Sequence, residues 1–211
     1  MVRKKILLYQ GGRYFGAKIN FKAFQNILAD YIVDNYENVD VFSNKDFFEY
    51  NTLIFFSQEG EFTNAQEKNV LEFIYSGKGF LGLHGASASF KSHPKYFEML
   101  GGKFIGHKEQ KNIDIRIIDP NHQITKGLSD FTFKDEPYRH DFSVSNAIHI
   151  LAKADYHDKE DPELEPIMWV KNYGKGRVFY CALGHRNVSL KDDIFQSIIK
   201  RAIKWVLNEE D

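Results

Sequence analysis

The chain has 211 residues, of which 43% are apolar and 15% aromatic, enough to build a substantial core. Its 28 basic and 29 acidic residues are mixed along the sequence, which excludes the basic stripe of a nucleic-acid-binding protein. No apolar run is long enough to span a membrane, and Cys181, the only cysteine, cannot form an intrachain disulfide. We therefore expect a cytoplasmic protein with no nucleic-acid or membrane partner, organised as a single domain over residues 1–211.

The first half of the chain alternates predicted strands with predicted helices. Thr63 and Gln66 have the spacing of a capping box, which marks the beginning of one helix. Pro94 suits the first turn of another helix, and Gly101 suits its end. The predicted strands are residues 5–9, 39–42, 51–57 and 79–83, and the predicted helices are about residues 20–35, 64–76 and 94–100.

The second half is richer in strands, predicted at residues 103–105, 113–118, 131–133, 148–152, 166–171 and 177–182. Residues 173–176 predict a hairpin turn, and apolar residues at helical spacing predict a terminal helix over 194–206. Together the two halves predict an α/β protein with a flavodoxin-like three-layer fold. Its central sheet is mostly parallel, with a strand-rich extension in the second half.

The sharp corner after residues 79–83 is the most informative local feature. Leu83-His84-Gly85 follows a buried apolar run, and in α/β proteins with a nucleophile elbow a Ser or Cys occupies the middle of such a corner. Here the middle residue is His84. An imidazole can bind a metal, move a proton or hydrogen-bond a substrate, but it is a poor substitute for a thiol or hydroxyl in acyl transfer. The corner therefore predicts a functional site and argues against amidotransferase chemistry.

Seven short motifs follow one another along nearly the whole chain: His84-Gly85, LGGKFIGH at 100–107, DPNHQITKGL at 119–128, DEPY at 135–138, PIMW at 166–169, GKGRVFY at 174–180 and LGH at 183–185. In this order and spacing they resemble the trehalose-utilisation, or ThuA-like, family of the class I glutamine amidotransferase-like superfamily. The resemblance implies a flavodoxin-type fold without the amidotransferase thiol, and a role in carbohydrate metabolism. It implies no particular reaction.

Polar residues follow several predicted strands, at the edge where α/β sheets bind ligands. His84, His107, Glu136 and His185 each come just after a strand, and the order of the strands decides whether they converge. If they converge, three imidazoles and a carboxylate suit zinc or a similar divalent metal with an open coordination position. Without a metal, Glu136 can act as a general base with His84 or His185 as its acid partner.

Other residues are predicted to contact substrate rather than to react with it. Asp135 and Tyr138 flank Glu136 and can hold sugar hydroxyls, and His107 is a further candidate for binding substrate. Gly11 and Gly12 follow the first strand and can offer backbone amides to a hydroxyl or an anion. Cys181 lies inside a predicted strand, away from any corner, and is interpreted as a buried inert thiol.

Two functions from different classes remain open. The first is an enzyme that hydrolyses or isomerises a sugar or keto-sugar, with His84, Glu136 and His185 as catalytic residues. The alternative is a non-catalytic sugar-binding or regulatory protein that retains the pocket. In either case the partner is a small-molecule carbohydrate, and a homodimer is the expected assembly.

Overall fold

The computed structural model describes residues 3–12, 17–145, 147–159, 162–186 and 188–209. Within them the strands are Lys5–Tyr9 (β1), Ile32–Tyr36 (β2), Thr52–Phe55 (β3), Gly79–Leu83 (β4), Lys103–His107 (β5), Lys111–Ile117 (β6), Phe131–Asp135 (β7), Tyr138–Asp141 (β8), His149–Asp155 (β9), Glu165–Tyr173 (β10) and Gly176–Cys181 (β11). The α-helices are Ala17–Ile27 (α1), Asn64–Tyr75 (α2), Pro94–Leu100 (α3) and Asp193–Val206 (α4).

One nine-stranded sheet organises the fold, in the order β2-β1-β3-β4-β11-β10-β9-β6-β7. The five strands from β2 to β11 run parallel, and the remaining four continue the sheet in antiparallel pairs. The predicted α/β fold with a strand-rich second half is therefore confirmed. Strands β5 and β8 form a separate antiparallel pair, which carries two of the predicted site residues away from the main sheet.

The helices cover the parallel half of the sheet. Helix α4 lies against β4 and β11 and buries one apolar face that includes Ile198, Ile199 and Ile203. The capping box of Thr63 and Gln66 is present at the beginning of α2, as expected from the sequence. No described helix has both the length and the apolar character required to cross a bilayer.

Two predicted elements near the N-terminus are wrong. The helix expected over residues 20–35 is α1, which ends at Ile27, and Ile32 and Val33 lie instead in the edge strand β2. The strand expected at 39–42 is a short 3-10 helix, Val39–Phe42. The reason is tertiary: β2 pairs with β1 along its whole length, and Arg3 donates to the carbonyl oxygen of Asp30 (3.1 Å) where the chain turns. Local helical spacing carries no information about such distant contacts.

Candidate functional site

His84 occupies the corner that the sequence singles out. Its backbone φ is 44°, in the left-handed region that side chains other than glycine rarely adopt. Two hydrogen bonds fix this conformation. Tyr180 in β11 donates its hydroxyl to the His84 carbonyl (2.7 Å), and His84 Nδ1 donates to the carbonyl of Ala182, which directly follows β11 (2.8 Å). Gly85 completes the corner, because a Cβ at that position would lie 2.4 Å from the Ser57 carbonyl oxygen. The ring of His84 is thereby oriented with Nε2 facing the neighbouring polar groups.

Three predicted histidines converge on one carboxylate oxygen of the fourth predicted residue, Glu136. Glu136 Oε2 lies 3.4 Å from His84 Nε2, 3.2 Å from His185 Nδ1 and 3.8 Å from His107 Nε2. His84 Nε2 and His185 Nδ1 are themselves 3.2 Å apart. We call His84, His107, Glu136 and His185 the histidine–glutamate cluster. It is buried on the His84 side, and His107 and His185 lie on its solvent side, with about a third of each side chain exposed.

The electrostatics of the cluster favour an ionised carboxylate beside an imidazolium. The hydrogen bond to Glu136 raises the pKa of His185, against the opposing effect of its partial burial. Burial by itself raises the pKa of Glu136, but the hydrogen bonds and charges of His185 and His84 outweigh it and hold that pKa well below its usual range. Negative charge is therefore concentrated at the atom around which the imidazole nitrogens gather.

Tautomers in the cluster are set by backbone carbonyls. His107 Nδ1 donates to the Lys108 carbonyl (2.8 Å), as His84 Nδ1 does to that of Ala182. In their neutral forms both rings therefore present an Nε2 lone pair to the cluster. The Tyr138 hydroxyl donates to His84 Nε2 (2.9 Å), and burial, reinforced by Glu136, raises the pKa of that phenol so that it keeps its proton.

Asp135 lies directly behind the cluster. It is fully buried, and its carboxylate accepts hydrogen bonds from the backbone amides of Glu136 (2.8 Å) and Gly184 (2.8 Å), with His185 N at 3.3 Å. Those contacts tie the turn that carries Glu136 to the loop that carries His185. The sequence does not show that Asp135, at the end of β7, bonds to a loop about fifty residues further along the chain.

Gly11 and Gly12 lie at the end of β1, as expected. Gly12 has a φ of 108° and forms an isolated parallel bridge with Gln58, so close that a Cβ would lie 1.6 Å from the Gln58 carbonyl oxygen. Glycine is therefore required by backbone packing at this position.

A buried polar network behind His84 is a feature that sequence reasoning missed. Ser87 Oγ lies 2.7 Å from Tyr180 Oη and 3.3 Å from His140 Nε2, and His140 is buried with Glu165 beside it. Since Tyr180 also bonds the His84 carbonyl, the network braces the corner from below. The only local signal was the helical-turn spacing of Ser87 from His84, which is too common to be informative.

One cavity borders the cluster. It has a volume of about 270 Å³ and is lined by His107, Pro137, Arg139 and Tyr156, among others. Larger cavities, of about 600 and 720 Å³, lie among the surface helices and contain no member of the cluster. We regard the smaller cavity as the relevant one, because it alone among these three adjoins the converging titratable groups.

Cys181 is fully buried in β11, and burial raises the pKa of its thiol to about 12. We expect no reaction of the folded protein with a thiol reagent such as dithionitrobenzoate at neutral pH, because the reactive thiolate is not formed. The same reagent should titrate one thiol after denaturation. Rapid labelling of the folded protein, with no accompanying unfolding, would contradict this assignment.

The fold and the cluster together define a flavodoxin-like α/β protein with a histidine-rich site at the carboxyl edge of its sheet and no cysteine at the elbow. The sequence profile of the ThuA family, described as trehalose utilisation, matches residues 5–206, and the chain belongs to that family. This membership supports a carbohydrate-related role.

Solved structures agree with this placement. A ThuA-like protein from Parabacteroides merdae superimposes with a TM-score of 0.85 at 21% identity, covering 98% of this chain and 90% of that one. A second, from Bacteroides uniformis, gives 0.82 at 19% identity, covering 97% and 91%. A β-galactosidase from Rahnella sp. R3 matches 99% of this chain over 32% of its own, with a TM-score of 0.63 and 14% identity. At these identities the likeness concerns the fold alone. A comparison with curated protein sequences found no match.

Proposed function

We propose that the protein is a metal-dependent enzyme that hydrolyses or isomerises a sugar or keto-sugar. His84, His185 and Glu136 are its metal ligands, with His107 as a further ligand. The observation that carries the proposal is the triangle formed by His84 Nε2, His185 Nδ1 and Glu136 Oε2, whose sides are 3.2, 3.2 and 3.4 Å.

That spacing supports zinc on simple geometric grounds. Zinc bonds to nitrogen and oxygen are about 2.0–2.1 Å long, so two ligand atoms in a tetrahedral site are separated by about 3.3 Å. The three atoms lie within 4.8 Å of one another, and the carboxylate supplies the negative charge that a divalent cation requires. The carbonyl partners of His84 and His107 are the outer contacts that orient metal-bound imidazoles in other proteins.

A metal here would supply Lewis-acid polarisation of a carbonyl or activation of a water. The roles of the side chains follow from their positions. His107 and His185 flank the open, solvent-facing side of the cluster, where a substrate oxygen can approach. With a metal on His84 Nε2, that nitrogen would no longer accept from Tyr138, and the proton that Tyr138 keeps would be free for a substrate hydroxyl. Asp135, with its oxygens engaged by backbone amides, positions the Glu136 and His185 segments.

The cavity beside His107 fits a carbohydrate. Its volume of about 270 Å³ gives room for a single sugar ring. Tyr156 and Pro137 offer apolar surface, and Arg139 and Lys111 offer donors, which is the mixture that sugar faces and hydroxyls require. The family's connection with trehalose utilisation makes trehalose and its keto derivatives the first substrates to examine.

A second function is favoured by one specific observation, the hydrogen bond between His185 and Glu136 together with the raised pKa of His185. This pair supports general acid–base catalysis without a metal, with His185 as the acid. Glu136 is the candidate base, but its lowered pKa makes it a weak one, so its larger part would be to hold His185 protonated. The substrate class would be the same. Metal dependence distinguishes the two functions.

We expect the purified untagged protein to bind about one equivalent of zinc, measured by elemental mass spectrometry, because the ligand triangle is already assembled. Chelated protein should neither hydrolyse nor isomerise trehalose or a keto derivative of it, followed by proton NMR, and added zinc should restore turnover. Full turnover in the chelated protein would contradict the metal role and favour the acid–base pair. Sugar binding without turnover under either condition would favour the non-catalytic alternative.

A further inference from the structure

We propose that Gln10 and Gln58 form a hydroxyl-binding subsite for a neutral polyhydroxylated ligand, on the side of His84 opposite to His185. This inference rests on the proposed function, since it extends the same substrate site along the sheet edge. The sequence places Gln10 with Gly11 and Gly12 on the rim after the first strand, but no motif points to Gln58.

The sheet order gives the subsite its location. Strands β1, β3, β4 and β11 are consecutive neighbours, so the segments that follow them lie side by side. Gln10 directly follows β1, Gln58 follows β3, and His84 follows β4. Adjacent strands are about 4.8 Å apart, so two strand spacings match the dimensions of one or two sugar rings.

Backbone contacts connect the two glutamines to the His84 corner. Gln58 N donates to the Gly11 carbonyl (3.2 Å), and Gly12 pairs with Gln58 in the parallel bridge. On its other side Gln58 lies against the corner itself, since a Cβ at Gly85 would be 2.9 Å from the Gln58 Cβ. The segments holding Gln10, Gln58 and His84 are therefore packed directly against one another.

The side-chain amides of Gln10 and Gln58 are the evidence for a ligand at this place. Gln10 is only 2% exposed, and among the described residues neither its Oε1 nor its Nε2 has a hydrogen-bond partner. Gln58 Oε1 is likewise buried without a partner within that part of the chain. Buried amides are ordinarily paired, because leaving them unpaired costs free energy, so unpaired amides beside a functional corner indicate a ligand.

The chemistry of the amides specifies the class of ligand. Each glutamine offers an acceptor oxygen and a donor NH₂, which matches hydroxyl groups that both donate and accept. Both glutamine side chains are uncharged, so they supply no counter-charge for an anionic ligand. A neutral polyol such as a sugar fits this charge pattern.

The first test compares stability in the absence of any ligand. Gln10→Leu should keep or raise the melting temperature, by up to about 2–4 °C, because it removes an unpaired buried amide. Gln66→Leu is the matched control: Gln66 is also buried, but its Oε1 accepts from Thr63 N (2.8 Å) and its Nε2 donates to Ser43 Oγ (3.0 Å). The control should melt several degrees lower. A comparable loss in Gln10→Leu would show that its amide is engaged in the folded protein and would overturn the proposal.

The second test measures binding of trehalose and glucose to the zinc-loaded protein, by saturation-transfer NMR and calorimetry. Gln10→Leu and Gln58→Leu should each weaken binding about tenfold or more while leaving zinc content at the wild-type level. Unchanged affinity in both variants, or no binding of either sugar to the wild type, would overturn the subsite. Failure of the metal proposal has a different signature, namely sugar binding that depends on the two glutamines in a protein that takes up no zinc.

Discussion

Replacing His84 by Asn should abolish zinc binding while the protein stays folded. Asn tolerates the positive φ of 44° at this position better than most residues, so the corner itself survives the change. The ring that contributes Nε2 to the triangle is lost. We expect zinc affinity to fall about 100-fold or more and turnover to disappear, measured by competition with a chromophoric chelator and by NMR.

The stability of that variant separates a functional His84 from a structural one. The free energy of unfolding of the metal-free protein should fall by less than about 3 kcal/mol, whereas a larger loss, typical of a disrupted core, would favour a structural role for His84. His157→Ala is a suitable control, since His157 is exposed and its ring is paired with Asp114 and Asp155, neither of which belongs to the cluster. It should keep full zinc content. Retention of zinc by His84→Asn would contradict the assigned ligand set.

Replacing Asp135 by Ala should cause the largest loss of stability, about 2–4 kcal/mol in urea unfolding. The substitution leaves the buried amides of Glu136, Gly184 and His185 without an acceptor, and each unpaired amide costs about 1–3 kcal/mol, partly offset because a buried carboxylate is also removed. Zinc affinity should fall about 10- to 100-fold, because two ligand-bearing segments lose their common anchor.

Asp130→Ala provides the matched control for that variant. Asp130 accepts a single hydrogen bond from the amide of Ile117 (2.8 Å) at an exposed site, so its loss should change the unfolding free energy by no more than about 1 kcal/mol. A different result for Asp135→Ala would revise its role. Unchanged stability and zinc affinity combined with lost sugar binding would make Asp135 a substrate ligand, as the sequence suggested.

The structure also explains how an elbow without a nucleophile can remain useful. The left-handed corner presents His84 where related architectures present a thiol or hydroxyl, and two hydrogen bonds maintain it. An imidazole at this corner can bind a metal through its Nε2 lone pair, whereas a thiol or hydroxyl there would attack a substrate carbonyl. In our proposal the strained backbone is kept because it aims Nε2 at Glu136.

Much of this protein is determined by local sequence. Three elements follow from local residue preferences that match the observed structure over a few residues. They are the beginning of α2 with its capping box at Thr63, the buried strand before His84, and α4 with its apolar face. The choice of His84, His107, Glu136 and His185 as candidates followed from their positions just past predicted strands. Local pattern failed at β2, where pairing with β1 overrides helical spacing.

Tertiary structure alone decided which of these residues meet. His107 ends β5 and Glu136 lies in the turn just before β8, so the separate β5–β8 pair brings both to the cluster. Asp135 joins two segments that are distant in sequence, and no periodicity could reveal either contact. Within the described residues, the amides of Gln10 and Gln58 lack partners because of where the folded chain places the surrounding donors and acceptors, which the sequence does not show. Residue type sets what each side chain can do, but distance and burial set whether it has a partner, and both depend on the folded chain as a whole.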